Sequence, residues 1–148
     1  MLKFPRLLPI AGLCLVSCGS SNSSTGSGKG EIFPSTSLTS EPILSAGGVL
    51  QTIVWTSPDQ PPIRGVIEAK LQITDAKSGD MVDGLNLTVV PEMPAMGHGT
   101  SVVPTVVAEG GGIYVVSNVD VFMPGTWILL TTIQGTMTDK VSISLDVQ

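Results

Sequence analysis

Polar and apolar side chains alternate with a period of two through several short segments of the chain, and this period predicts β-strands with one buried face. The alternation is clearest over residues 65–74 and 140–147, and it recurs over residues 85–90. Apolar runs of strand length, such as residues 49–56, also indicate strands. Clusters of turn-forming residues separate these segments. The predicted strands are residues 49–56, 65–74, 85–90, 101–108, 113–117 with its continuation after Asn118 over 119–123, 126–134 and 140–147.

This spacing of short strands predicts an all-β protein. About seven strands over roughly 100 residues are typical of an immunoglobulin-like β-sandwich. Pro104 has no backbone N–H, so the strand that contains it is expected at the edge of a sheet. The last two strands are expected to form a hairpin around Gly135, with the odd-numbered residues from Val141 to Val147 facing inward. With 17 glycines and 11 prolines in 148 residues, no long helix is expected.

The first eighteen residues resemble an export signal. Lys3 and Arg6 precede a ten-residue apolar run, residues 7–16, which is too short to span a bilayer as a permanent anchor. The sequence Leu-Val-Ser-Cys that ends at Cys18 is similar to a bacterial lipobox. The resemblance implies that residues 1–17 are a lipoprotein signal peptide and that Cys18 is lipidated after cleavage. The alternative is that Cys18 is an ordinary residue near the cleavage site of a soluble protein.

Lipidation would place the mature protein outside the cytoplasm, attached to membrane lipid through Cys18. Cys14 leaves with the signal peptide, so the mature chain is expected to have no thiol for a disulfide, a metal or catalysis. Gly19, and not the aspartate associated with inner-membrane retention, follows Cys18. The outer membrane is therefore the favoured location if the cell is Gram-negative.

The mature chain is expected to consist of two regions with different compositions. Residues 18–40 are rich in Ser and Gly and have little to bury, which predicts a disordered tether. Residues 41–148 contain the predicted strands and form the sandwich domain. Removal of Lys3 and Arg6 leaves five basic residues against twelve acidic ones, a net charge of −7, which argues against nucleic acid as a partner.

The segment from Pro91 to Thr100 holds the single histidine of the chain and two of its six methionines. Thioether sulfur is a soft, uncharged ligand that selects Cu(I), and imidazole binds copper in either oxidation state. If the segment is extended and stiffened by proline, Met93 and Met96 project to the same side, and Met96 and His98 share one face. These three residues are therefore candidate copper ligands, and Met123 is a candidate fourth ligand if its loop adjoins this one.

Three segments also resemble a known family in their order and spacing. They are MPAMGHGT at residues 93–100, EGGGIY at 109–114 and FMPGTW at 122–127. They are similar to the YtkA-like domain of bacterial extracytoplasmic proteins, which is related to FixH-like domains, and the likeness spans about residues 91–134. The resemblance implies that residues 41–148 are a small β-sandwich of a family discussed alongside copper handling and respiratory oxidase assembly. FixH-like members carry a membrane helix, which the lipobox replaces here.

A second interpretation of the same residues is structural. Methionine is a flexible core side chain that packs on aromatic rings, and Trp55, Phe122 and Trp127 are available partners. On this interpretation the methionines fill one end of the sandwich and His98 hydrogen-bonds within a turn. For Met123, which is close to Trp127 in sequence, packing is the favoured interpretation.

Nothing in the sequence indicates an enzyme. No GxSxG segment is present to supply a nucleophile for His98, and a single histidine argues against a zinc hydrolase. Asp75, Asp80 and Asp83 lack the spacing of an EF-hand and are expected to form a solvated acidic turn.

The expected function is therefore that of a membrane-anchored extracytoplasmic lipoprotein. Its non-catalytic domain is expected to bind Cu(I) through the Met/His loop and to exchange it with a copper donor or acceptor protein. The alternative is a structural or protein-interaction sandwich domain of the cell envelope that binds no metal.

Overall fold

The computed structural model describes residues 32–148, and every regular element within them is a β-strand. The predicted signal peptide, Cys18 and the tether up to residue 31 lie outside the described residues. Within residues 32–148, no helix is long and apolar enough to cross a bilayer. The strands are β1 (Ile43–Leu44), β2 (Leu50–Ser57), β3 (Gly65–Asp75), β4 (Leu85–Met93), β5 (His98–Gly99), β6 (Thr105–Gly110), β7 (Ile113–Val121), β8 (Gly125–Gly135) and β9 (Asp139–Val147).

The strands form two sheets in which every pairing is antiparallel. One sheet has the order β1-β2-β3-β7-β6, and the other has the order β5-β4-β8-β9. Without the two-residue strands β1 and β5, this is the strand order of a constant-type immunoglobulin domain, with four strands in one sheet and three in the other. The predicted all-β sandwich of about seven strands is confirmed.

The core lies between the two sheets and is built from alternate residues of the long strands. The odd-numbered residues from Val141 to Val147 on β9 are all buried, as the alternation predicts. Trp127 on β8 and Tyr114 on β7 have the largest fully buried side chains. The indole N–H of Trp127 donates to the carbonyl oxygen of Met123 at 2.9 Å, and the Tyr114 hydroxyl donates to that of Val82 at 2.9 Å. Each ring therefore fills the core while its polar atom holds the backbone of a loop.

The edge strands differ most from the sequence prediction. The strand expected over residues 101–108 begins only at Thr105, because Pro104 has no N–H to donate to a neighbouring strand. This strand, β6, does lie at a sheet edge as predicted. Strands β1 and β5 are not predicted from the sequence, since two residues are too few to show a period.

Residues 113–117 and 119–123, predicted as a strand that continues after Asn118, form a single strand that ends at Val121. Asn118 between them has a φ of 61°. Here two residues of β7 oppose only Glu68 of β3, which defines a β-bulge. Asparagine tolerates the left-handed conformation that the bulge requires. The strand continues because the bulge absorbs the extra residue.

The chain immediately before residue 41 is in contact with the sandwich. The N–H of Leu38 donates to the carbonyl oxygen of Val54 at 2.7 Å, and its side chain packs on the core. The Lys70 ammonium lies 5.0 Å from the ring centroid of Phe33 and 4.6 Å from that of Trp55, within the range of cation–π attraction. Contacts with the sandwich thus begin before the boundary predicted from composition.

The antiparallel registers gather the connections at two opposite ends of the sandwich. The turn between β4 and β5 and the loop between β7 and β8 lie at one end. We call it the hairpin end and define it by residues 93–99 and 122–125. At the other end lie the connections that follow β3, β6 and β8, and we call it the carboxylate end because it contains Asp75, Asp83 and Asp139.

Candidate functional site

The hairpin formed by β4 and β5 carries three of the four candidate copper ligands. Strand β4 ends at Met93, a turn follows over residues 94–97, and β5 begins at His98. The carbonyl oxygen of Met93 accepts hydrogen bonds from the N–H groups of Met96 and Gly97 at 3.0 and 3.1 Å. Gly97 has a φ of +68°, which glycine adopts without a steric penalty. The chain therefore reverses direction within this segment.

The segment is not extended, so the condition under which Met93 and Met96 would project to the same side is not met. Pro94 suits the second position of a tight turn, and the flanking residues then pair as strands. The turn separates the two thioethers, because Met93 is only 7% exposed at the edge of the core whereas Met96 is 57% exposed. The exposed His98 lies directly opposite Met93 in the strand register. Opposite residues in antiparallel strands have Cβ atoms about 5 Å apart, so the close pair is Met93 with His98.

A cleft of about 360 Å³ opens along this hairpin. Its lining includes Met93 and His98, so two candidate ligands border the same space. Neither Met96 nor Met123 is part of that lining. The remaining lining residues are Glu92, Pro94, Gly97 and Gly99.

The loop between β7 and β8 packs directly against the hairpin. The Phe122 ring stacks on the imidazole of His98, with centroids 6.1 Å apart and planes inclined by 8°. A Cβ atom placed on Gly125 would lie only 2.7 Å from Cε of Met93. Met123, which lies between Phe122 and Gly125 in the chain, is half-buried and packs against the core. The two loops are thus neighbours, which is the condition under which Met123 is a candidate fourth ligand.

The imidazole of His98 has contacts on its face and on its edge. Phe122 covers one face, and the ring nitrogen Nδ1 lies 3.3 Å from the carbonyl oxygen of Gly99. Phe122 is held in turn by Trp127, whose ring meets it edge to face at 5.4 Å and 75°. Trp127 also fixes the backbone of Met123 through its indole N–H. The buried Trp127 therefore positions both Phe122 and Met123 beside the hairpin that carries His98.

Phe122 and Gly125 contribute to this site beyond what the sequence predicts. The sequence predicts Phe122 only as a packing partner for methionine and predicts no role for Gly125. The FMPGTW segment shows that an aromatic ring and a glycine are close in sequence to Met123. It does not show that this loop faces His98, because that contact joins the loop between β7 and β8 to β5, and strand pairing rather than local sequence brings the two together.

The acidic residues of the carboxylate end are engaged in holding turns. Asp75 Oδ1 accepts hydrogen bonds from two backbone N–H groups, those of Lys77 and Ser78, both at 2.8 Å. Asp83 accepts two more, from Gly111 at 3.2 Å and Gly112 at 2.9 Å. In the part of the chain that the structure describes, no three His, Cys, Asp or Glu side chains are grouped closely enough to hold a metal ion.

Comparison with protein families gives one finding for this chain. The family model described as YtkA-like matches residues 52–132, more than half of the 148 residues. The matched region begins within β2, ends within β8 and includes both loops of the hairpin end. No curated protein matches the chain.

Proposed function

This chain belongs to the YtkA-like family, and we propose that its sandwich is a non-catalytic domain that binds Cu(I) outside the cytoplasm. Met93, Met96 and His98 are the proposed ligands, and Met123 is the fourth. Cu(I) is a cargo in this proposal, taken from a donor protein and passed to an acceptor protein by ligand exchange. Acylated Cys18 would attach the domain to a membrane, the outer membrane in a Gram-negative cell.

The observation that carries this proposal is the contact between the two loops of the hairpin end. His98 lies opposite Met93 in the hairpin and is stacked on Phe122, the residue before Met123. Sulfur and imidazole donors from two separate parts of the sequence are therefore brought to one rim of the fold. Thioether sulfur with imidazole is a ligand set suited to Cu(I).

The different exposure of the donors suggests an order in which they act. Met96 is 57% exposed and His98 is exposed, so these two residues are available to an ion held by another protein. Met93 lines the cleft from the core side and is available only from within it. We propose that Met96 and His98 receive the ion and that Met93 and Met123 complete its coordination.

A titration of Cu(I) against a competing chelator tests the proposal. The variants Met96→Leu and His98→Ala are expected to lower the affinity for Cu(I) by about tenfold or more each. Met81→Leu is the matched control, because Met81 is 50% exposed and lies at the carboxylate end. If the double variant of Met96 and His98 binds Cu(I) as tightly as the wild type does, the proposed site is wrong.

A second candidate function is a protein-interaction domain that binds no metal. It is favoured by the edge strand β6, which carries the exposed side chain of Val107 and is preceded by those of Val102 and Val103. Melting curves without and with Cu(I) distinguish the two functions. A Cu(I) concentration of about 100 times Kd should raise the free energy of unfolding by about 2.7 kcal/mol if the domain binds the ion. No change is expected if the domain binds only a protein.

The membrane attachment has its own test. The variant Cys18→Ala is expected to move the protein from the membrane fraction to the soluble fraction of the cell envelope. If the variant stays in the membrane fraction in the same proportion as the wild type, acylation of Cys18 does not anchor the protein.

A further inference from the structure

We infer that Phe122 and the Gly99 carbonyl are positioning groups that hold the imidazole of His98 with Nε2 as its metal-binding nitrogen. This inference rests on the proposed function, because it concerns how one of the proposed ligands is presented to Cu(I). Phe122 itself has no donor atom and acts only through the histidine ring.

The Gly99 carbonyl determines which ring nitrogen of His98 is free to bind a metal ion. A backbone carbonyl oxygen only accepts hydrogen bonds, so the contact between Nδ1 of His98 and the oxygen of Gly99 at 3.3 Å requires the proton on Nδ1. In the neutral ring Nε2 then carries the lone pair. The position of the Gly99 carbonyl is constrained, because the backbone of Gly99 passes so close to the Pro91 carbonyl that no side chain fits between them.

The Phe122 ring restricts the plane of the His98 imidazole. An exposed histidine at the start of a two-residue strand, such as His98, changes rotamer freely unless a neighbour holds it. The Phe122 ring lies nearly parallel to the imidazole, at an angle of 8° and a centroid distance of 6.1 Å, within the range of offset stacking. The two contacts together restrict both rotation of the side chain and the choice of tautomer.

Phe122 is itself held in place by the buried Trp127. Phe122 is 43% exposed, but its ring packs edge to face with the ring of Trp127, which is fully buried. Trp127 also donates its indole N–H to the carbonyl of Met123, the next residue in the loop. The orientation of the histidine is therefore set from the core through two aromatic rings. Groups that orient a metal ligand in this way change metal affinity by about 10- to 100-fold when they are removed.

The test begins with the metal-free full-length protein. Because the chain has a single histidine, its ring signals in an NMR spectrum belong to His98 alone. In the wild type we expect the Nδ1–H tautomer to dominate and the ring protons to be shifted by the aromatic ring of Phe122. Phe122→Leu should remove that shift and reduce the population of the tautomer, whereas Phe122→Tyr should retain both.

The second measurement is the affinity of the same variants for Cu(I), determined with a competing chelator. Phe122→Leu is expected to weaken binding by about tenfold and Phe122→Tyr by less than about twofold. Val103→Ala, at a side chain that is 79% exposed and outside the two loops, is the control and should leave both readouts unchanged.

The outcomes separate this inference from the proposed function. If Phe122→Leu leaves the His98 signals of the metal-free protein unchanged, the positioning role is wrong, whatever the protein does with copper. It is also wrong if Phe122→Leu binds Cu(I) like the wild type while His98→Ala binds it more weakly. If His98→Ala and Met96→Leu both bind Cu(I) like the wild type, the proposed function itself is wrong and the positioning role is wrong with it.

Discussion

At the carboxylate end, charged oxygens hold the loops through hydrogen bonds, whereas at the hairpin end neutral sulfur and aromatic contacts do so. Asp139 is the most buried of the carboxylates that hold loops at the carboxylate end, with 9% of its surface exposed. It accepts hydrogen bonds from the Ser45 hydroxyl at 2.6 Å and from the N–H groups of Gly47 and Lys140 at 2.8 and 2.7 Å. These bonds join the connection between β1 and β2 to the start of β9.

Two of these carboxylates have pKa values below the ordinary range. Burial raises the pKa of Asp139, but the hydrogen bonds from Ser45, Lys140 and Gly47 outweigh it and lower the pKa overall. The pKa of Asp75 is lowered mainly by the backbone N–H groups of Ser78 and Lys77. Both carboxylates are therefore stabilised in their charged form by the fold.

The loops of the hairpin end are held by apolar and aromatic side chains. Met93 fills the space beside Gly125, and Phe122 bridges His98 and Trp127. The carboxylates of one end are thus used in holding the turns of the fold, whereas the loops of the opposite end are held by apolar and aromatic contacts around Met93 and His98.

The largest effect is expected from the buried thioether. Met93→Ala should lower the free energy of unfolding of the metal-free protein by about 3 kcal/mol, because it leaves a cavity where a side chain only 7% exposed meets the core. Met96→Ala, at a side chain 57% exposed, should change it by less than about 0.5 kcal/mol. Urea unfolding measures both, and equal losses would show that the two methionines do not differ in their packing.

At the carboxylate end, Asp139→Ala is expected to lower the free energy of unfolding by about 2 to 3 kcal/mol. The substitution leaves the buried Ser45 hydroxyl and two backbone N–H groups without their acceptor. Asp80→Ala is the matched control, since Asp80 is exposed at the same end, and it should have an effect below about 0.5 kcal/mol. A loss no greater than that of the control would contradict the importance assigned to these hydrogen bonds.

Gly125→Ala tests the contact between the two loops of the hairpin end. The new Cβ would lie 2.7 Å from Cε of Met93, and Gly125 has a φ of +128°, so we expect a loss of about 1 to 2 kcal/mol. Gly65 has a similar φ of +132° with no atom within 4 Å of the new Cβ. Gly65→Ala therefore measures the backbone strain alone. If the two variants lose equal stability, the contact with Met93 contributes nothing.

The smallest effect is the dependence of stability on pH. Because the folded pKa values of Asp75 and Asp139 are lowered, the stability that they contribute is fully present above their unfolded pKa, near 3.9, and is lost as the pH falls through their folded values. The melting temperature should therefore fall as the pH drops below about 4, and Asp139→Asn should make this fall less steep. A variant with the same pH profile as the wild type would exclude Asp139 as a source of the acid sensitivity.

The sequence allowed much of the fold to be predicted but only part of the site. The long strands and the edge position of β6 follow from alternation and from Pro104, which act over a few residues. The continuation of β7 past Asn118 was also predicted, but the bulge at Asn118 was not, because a bulge depends on how the neighbouring strand pairs with it. Whether residues 94–97 are extended or form a turn was left open for a similar reason, since pairing of β4 with β5 stabilises the turn.

The sequence by itself determined the class of fold and the chemical identity of the donors, because side-chain periodicity and residue type are local properties. The tertiary structure alone decided that Met93 is buried while Met96 is exposed. It also decided that Phe122, more than twenty residues away in the chain, stacks on His98. The physical reason is that such contacts depend on strand register and on the packing of two sheets, which bring together loops that no local pattern connects.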